Sequence, residues 1–135
     1  MRYSKVTMID DSRTDAQLLR RAVSRQSKEV EFNWIGDAEE GLEYLLNQPV
    51  REDELVLLDI KMPKLTGLEI LERLAAKKKL PPDPNIVVLS SSDLKRDMDV
   101  VATFSGIGYR CKPGGYHEII SMVSDLMGAD TTADN

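Results

Sequence analysis

The sequence contains a single cysteine, Cys111, and a single histidine, His117, among its 135 residues. One cysteine cannot form an internal disulfide, which is typical of proteins from a reducing compartment. One cysteine and one histidine are also too few for a structural zinc site. We expect Cys111 to be a small core residue within a strand, and His117 to be an exposed residue at the start of a helix.

Long apolar runs and an excess of basic charge are missing as well. No apolar run reaches membrane-spanning length and the N-terminus has no signal-peptide pattern, so we expect a cytoplasmic protein that does not enter a membrane. The net charge of -5 argues against nucleic acid as a partner, because binding phosphates requires a basic surface. The 41% of hydrophobic and 30% of charged residues are ordinary for one globular domain.

Short β-branched runs alternate with helical patterns along the chain. The predicted strands are residues 5–9, 30–35, 55–58, 86–89 and 107–111. The predicted helices are residues 15–27, 38–46, 68–77, 94–104 and 116–127. The predicted helix caps are Ser12 or Thr14, then Asp37, then Ser92 or Asp93.

This alternation predicts the fold class. Strands that alternate with helices need crossover connections, and these produce a doubly wound α/β fold with a parallel sheet between two helical layers. Right-handed crossovers favour the flavodoxin-like strand order 2-1-3-4-5, with a site at the carboxyl ends of the strands. We predict one domain over residues 1–128 and a short polar tail over residues 129–135.

Polar side chains follow four of the five predicted strands. Asp10 and Asp11 follow the first strand, Asp59 the third, Ser90 the fourth and Lys112 the fifth. The carboxyl ends of parallel strands lie along one edge of a sheet, so we expect these side chains to share one crevice. Three clustered carboxylates need a counter-ion, and Mg²⁺ prefers oxygen ligands. In this arrangement Asp59 is a candidate nucleophile toward a phosphoryl group, whose oxygens the metal, Lys112 and Ser90 would bind.

Each of these patterns also has a purely structural explanation. An Asp-Asp pair after a strand is typical of a turn and a helix cap, Ser90 to Ser92 of a loop, and Lys112-Pro113 of a strand end. Their joint occurrence, each at its own strand end, favours the functional interpretation.

Taken together, these motifs resemble the response-regulator receiver domain of two-component signalling. The resemblance covers about residues 4–128 and rests on Asp10-Asp11, residues 57–63 with Gly67, Val88-Leu89-Ser90, Tyr109 and Lys112-Pro113. It implies that Asp59 accepts a phosphoryl group from a sensor histidine kinase or a histidine phosphotransfer protein. It implies that Asp10, Asp11, Asp59 and the backbone carbonyl of Lys61 bind Mg²⁺. It also implies that Ser90 and Lys112 bind the phosphoryl group, and that Ser90 and the aromatic Tyr109 form the switch.

The resemblance extends to how the signal would leave the domain. The implied output surface is the face of the fourth helix, fifth strand and fifth helix. About eight residues follow the predicted last helix, so we expect a stand-alone regulator that acts through a protein target, as a phosphate shuttle, or as a homodimer. The loop over residues 77–85 and the run over residues 89–92 resemble single-domain regulators that partner bacterial phytochrome kinases. The basic stretch over residues 77–79 is typical of a solvated helix end, with a kinase contact as the alternative.

The sequence disfavours three other classes of protein. A phosphatase of the haloacid dehalogenase type would carry an aspartate two residues after its nucleophile, where this chain has Lys61. A nucleotide- or flavin-binding module would show a glycine-rich phosphate loop, and none is present. A degenerate, phosphorylation-independent interaction domain would have lost some of the five site residues. We therefore expect no enzyme activity beyond the domain's own phosphorylation and dephosphorylation.

Overall fold

The computed structural model describes residues 3–80, 85–91 and 95–132. Over these residues five strands and five helices alternate, in agreement with the predicted order. The strands are β1 (Lys5–Ile9), β2 (Glu31–Ile35), β3 (Glu54–Asp59), β4 (Ile86–Ser90) and β5 (Gly108–Cys111). The helices are α1 (Arg13–Gln26), α2 (Ala38–Asn47), α3 (Gly67–Ala76), α4 (Lys95–Ala102) and α5 (Tyr116–Thr132).

The strands form one parallel sheet in the order β2-β1-β3-β4-β5, which confirms the predicted doubly wound topology. One apolar cluster fills the space between the sheet and α1 and α5, and a second lies under α2, α3 and α4. Strand β3 is central and buried along its whole length. Helices cover both faces of this parallel sheet, which explains why the sequence of β3 is apolar without interruption.

Side chains that accept backbone N–H groups fix where three helices begin. The Ser12 hydroxyl accepts from the N–H of Asp15 at 3.2 Å and starts α1, and the Asp37 carboxylate accepts from Glu40 at 3.0 Å and starts α2. Thr66 and Glu69 form a capping box at α3 that the sequence analysis did not identify. The predicted caps of α4, Ser92 and Asp93, lie outside the described residues.

Two expectations about the end of the chain were wrong. Cys111 is exposed rather than buried, because it is the last residue of β5 and β5 is an edge strand with one neighbour. Helix α5 continues to Thr132 instead of ending at Met127. Each residue added to an existing helix gains a backbone hydrogen bond, so a short run of small polar residues extends the helix. His117 is exposed, as predicted.

Among the described residues, none of the helices has the length and hydropathy that a bilayer-crossing segment would need.

Candidate functional site

The three aspartates predicted to cluster meet at the carboxyl edge of the sheet. Each of Asp10, Asp11 and Asp59 offers a carboxylate oxygen within 4.8 Å of the other two. Asp59 is the last residue of β3 and Asp10 follows the neighbouring strand β1, so the sheet brings the two together. Asp10 and Asp59 are buried, whereas Asp11 is exposed. Two of the three carboxylates are therefore enclosed by the protein, and the third faces solvent.

Lys112 places its ammonium group against this cluster from the end of β5. Its Nζ lies 2.7 Å from Oδ2 of Asp10, 2.8 Å from Oδ2 of Asp15 and 3.6 Å from Oδ1 of Asp59. Its backbone N–H donates to the carbonyl oxygen of Ser90 at 2.6 Å, which fixes the lysine at the strand end. Burial lowers the pKa of Lys112, but the pairing with Asp10 and Asp15 outweighs burial and raises this pKa above its ordinary value. The lysine is therefore a permanent positive charge in the site.

The buried carboxyl groups of the site are shifted toward their protonated forms. Burial, followed by repulsion from Asp10, raises the pKa of Asp59 from 3.8 to about 6, and Lys112 opposes this shift only in part. Burial also raises the pKa of Asp10, although the pairing with Lys112 and the N–H of Ser12 oppose it. One lysine does not neutralise three clustered carboxylates, so the site favours a further positive charge.

The donor set fits a hard divalent cation. Oδ2 of Asp10 is buried and accepts no hydrogen bond of standard geometry from the described residues, although the Lys112 ammonium lies close to it. Its other oxygen, Oδ1, accepts from the N–H of Ser12 at 2.9 Å. A buried oxygen with unused lone pairs, next to two more carboxylates and open on one side to water, is suited to Mg²⁺, which keeps several water ligands.

Two residues outside the acidic set shape the site through the backbone. The indole N–H of Trp34 donates to the carbonyl oxygen of Asp10 at 2.7 Å and so ties the acidic loop to β2. Gly67 starts α3 in direct contact with the end of β3, because a Cβ at this position would overlap the backbone oxygen of Asp59. Gly67 was expected only as part of a motif, and the structure shows how Gly67 and Trp34 each hold a site loop.

The remaining predicted residues lie at or beside the same edge. Ser90 is fully buried at the end of β4, between β3 and β5. Lys61 is exposed and follows β3, and its backbone N–H donates to the Asp59 carboxylate. Tyr109 is half-buried in β5 and packs against the apolar cluster under α2, α3 and α4.

Asp15 is the site residue that sequence reasoning missed. It lies in the first turn of α1 and contacts Lys112 across a separation of 97 residues. An acid in a first helical turn is usually explained by the helix dipole, so its sequence position gives no signal of a tertiary contact. The contact forms because the fold brings α1 and the end of β5 side by side.

Comparisons with known proteins identify the family of this chain. The family model of the response regulator receiver domain matches residues 6–124. The virulence-factor positive transcription regulator BvgA of Bordetella pertussis is 30% identical over 129 residues, covering 96% of this chain and 58% of BvgA. The chain thus spans about three-fifths of the length of that relative.

A shorter relative and a solved structure complete the comparison. The chemotaxis protein CheY of Listeria monocytogenes is 31% identical over 97 residues, covering 72% of this chain and 74% of CheY. The crystal structure of the phosphorylated cyanobacterial phytochrome response regulator RcpA aligns with a TM-score of 0.77 at 23% identity, covering 92% of this chain and 91% of RcpA. At that identity RcpA supports the fold alone. The match of the family model over most of the chain shows that the protein belongs to the response regulator receiver domain family of two-component signalling.

Proposed function

We propose that Asp59 is the phosphoacceptor of this receiver domain. The observation that carries this proposal is a buried carboxylate that ends the central strand, 3.6 Å from a lysine ammonium and beside two further acids. A carboxylate oxygen of Asp59 attacks the phosphorus of a phosphohistidine on a sensor kinase or a phosphotransfer protein. The new oxygen–phosphorus bond forms as the phosphorus–nitrogen bond breaks, and the imidazole leaves with the bonding pair and takes a proton from water.

Receiver domains bind Mg²⁺ at an acidic cluster, and this chain has such a cluster. In the proposal Asp10, Asp11 and Asp59 hold the ion, together with the backbone carbonyl of Lys61. When bound, the ion offsets negative charge on the transferring phosphoryl oxygens. Two of these aspartates are buried and the third, Asp11, is exposed, which would leave one side open for water and phosphoryl ligands.

Lys112 and Ser90 complete the proposed phosphoryl-binding site. The ammonium of Lys112 neutralises one phosphoryl oxygen, and the hydroxyl of Ser90 donates to another. The backbone hydrogen bond between these residues keeps β4 and β5 aligned at this edge. Beyond its own phosphorylation and dephosphorylation, the proposal assigns the domain no catalytic activity.

The proposed output is a change in the face formed by α4, β5 and α5. Ser90 moves toward the phosphoryl oxygens and Tyr109 turns further toward the space under α4. Tyr109 already packs against the cluster on that side of the sheet, which supports this direction of movement. The face then binds a protein target or a second copy of the chain as a homodimer. A phytochrome kinase as the partner stays a prediction from the loop sequence, because residues 81–84 and Ser92 lie outside the described residues.

A cytoplasmic location belongs to the same proposal. A histidine kinase draws its phosphoryl groups from ATP, and the exposed thiol of Cys111 is stable in a reducing compartment.

A direct test is phosphorylation by a small phosphodonor. The protein is incubated with acetyl phosphate and Mg²⁺, and its intact mass is measured. We expect the mass of one phosphoryl group to be added to the wild type and to the Asp125→Asn control, whose exposed carboxylate lies on α5 and pairs with Arg110. Asp59→Asn should show no gain. A gain that persists in Asp59→Asn would refute the assignment of the phosphoacceptor.

A further inference from the structure

Asp15 competes with the proposed phosphoacceptor for the same lysine. The Lys112 ammonium has three N–H donors and a 2.8 Å contact to Asp15, whereas Asp59 lies at 3.6 Å, beyond hydrogen-bonding distance. Among the described residues, Asp10, Asp15 and Asp59 are the carboxylates within 4 Å of this ammonium. In this resting arrangement the lysine is bound to two acids on the α1 side and is withheld from Asp59.

The surroundings strengthen the contact between Lys112 and Asp15. The lysine side chain is 18% exposed and that of Asp15 is 40% exposed, so water screens the pair only in part. Both residues also line a small cavity of about 30 Å³ whose walls include Leu19, Ile119 and Met122. An apolar wall lowers the local dielectric constant and makes the attraction between the charges stronger than at an open surface.

The position of Asp15 is fixed by α1. Its backbone N–H donates to the Ser12 cap, and its carboxylate lies in the first turn, where the helix dipole stabilises negative charge. Ser12, in the segment that connects β1 to α1, therefore contacts both Asp10 and Asp15. To contact a phosphoryl group on Asp59, Lys112 has to loosen its contact with an acid whose backbone is held in α1.

We propose that Asp15 is a positioning residue that retains Lys112 in the resting site and so opposes binding of a phosphoryl group at Asp59. This inference rests on the proposed role of Asp59. In this role Asp15 does not touch the phosphoryl oxygens and acts only through Lys112. Loss of the Asp15 carboxylate should free the lysine and strengthen binding of a phosphoryl mimic.

The test measures the affinity for beryllofluoride, in which a carboxylate oxygen completes the coordination of beryllium. Isothermal titration calorimetry is performed at saturating Mg²⁺ on the wild type and on Asp15→Asn. We expect roughly twofold to fivefold tighter binding by Asp15→Asn, the range that corresponds to releasing one half-exposed charged contact. Asp15→Glu, which keeps the charge and reaches further, should restore an affinity close to that of the wild type.

A matched variant separates this retention from a general loss of negative charge. Glu118 is an exposed acid in the first turn of α5 that lines a groove together with Lys112 but is not among its carboxylate contacts. Glu118→Gln should leave the affinity unchanged. Equal tightening in Glu118→Gln and Asp15→Asn would overturn the inference, as would unchanged or weaker binding by Asp15→Asn. If the wild type binds no more beryllofluoride than Asp59→Asn, the proposed function fails, and the role of Asp15 fails with it.

Discussion

The carboxyl group of Asp59 occupies an environment that favours its neutral form. Burial and the neighbouring Asp10 raise its pKa from 3.8 to about 6. The folded protein therefore binds this proton more tightly than the unfolded chain does. The resulting contribution to stability is complete below about pH 4 and is lost as the pH rises through about 6. At neutral pH, without a cation, the ionised Asp59 opposes folding.

Removal of this charge should stabilise the protein in the absence of Mg²⁺. We expect Asp59→Asn to raise the free energy of unfolding by about 1–3 kcal/mol at pH 7.5, after allowance for partial hydration of the site. The gain should shrink as the pH falls toward 4, where the wild-type carboxyl group is also neutral. Urea unfolding in EDTA at several pH values measures this difference. A gain that does not depend on pH would show that lost charge is not its cause.

The connection between β3 and α3 depends on close contact between two backbone segments. The N–H of Gly67 donates to the carbonyl oxygen of Ile60 at 2.9 Å, and α3 starts against the end of the strand that carries Asp59. A Cβ at Gly67 has no space, since its nearest neighbours are backbone atoms of Asp59 and Ile60. Backbone atoms cannot turn away as a flexible side chain can, so the whole connection would have to shift.

Gly67→Ala should therefore destabilise the fold and weaken the metal site together. We expect a loss of about 1–3 kcal/mol in the free energy of unfolding, typical of overpacking. Gly114→Ala is the matched control, because a Cβ at Gly114 meets no atom within 4 Å. Thermal unfolding with and without Mg²⁺ measures both effects. Equal stability of the two alanine variants would contradict the close contact at Gly67.

The elements and their order could be predicted because each follows from a local pattern. Strand β3 is marked by a continuous apolar run, and α2 by the Asp37 cap at its start. The meeting of the strand-end residues followed from the topology, since parallel strands end at one edge. The predicted strand order already placed the fifth strand at the sheet edge, but a short apolar run does not show that its last residue, Cys111, is exposed.

Contacts that join distant elements were the part that could not be predicted. The contact from Asp15 to Lys112 and the hydrogen bond from Trp34 to Asp10 each depend on how a side chain is directed after α1 and β2 have packed. Neither residue belongs to a sequence pattern that points to its contact. The strand-end residues of the site could thus be predicted from the sequence. Its supporting residues, Asp15 and Trp34, could be identified only once the fold was known.

Binding of Mg²⁺ should couple the site to the stability of the whole protein. An ion that binds the folded state alone raises the melting temperature in proportion to the logarithm of its concentration. Trp34, the single tryptophan, hydrogen-bonds to the backbone of Asp10 and should report the binding as a change in fluorescence. We expect both responses in the wild type and a strongly weakened response in Asp11→Asn. Since Asp11 is exposed, this substitution should leave the unliganded fold unchanged, as circular dichroism can verify.

If the fluorescence of Asp11→Asn responded to Mg²⁺ as the wild type does, this aspartate would not be a ligand. The same fluorescence titration with Ca²⁺ compares the two ions, since the larger Ca²⁺ tolerates more irregular coordination.

The signal should reach the surface through the elements that are held least firmly. Within its described residues, α4 buries only Val101, and the edge strand β5 has no fully buried residue. Such segments open locally at low free energy, whereas the central strand β3 is buried throughout. Addition of beryllofluoride and Mg²⁺ should therefore change amide hydrogen exchange in α4 and β5 and leave that of β3 almost unaffected. Ser90→Ala should reduce the change in α4 and β5, because the hydroxyl that responds to the ligand is gone. Hydrogen exchange is measured by mass spectrometry on the wild type and on Ser90→Ala. A response confined to the loops around Asp59 would contradict transmission to the α4–β5–α5 face.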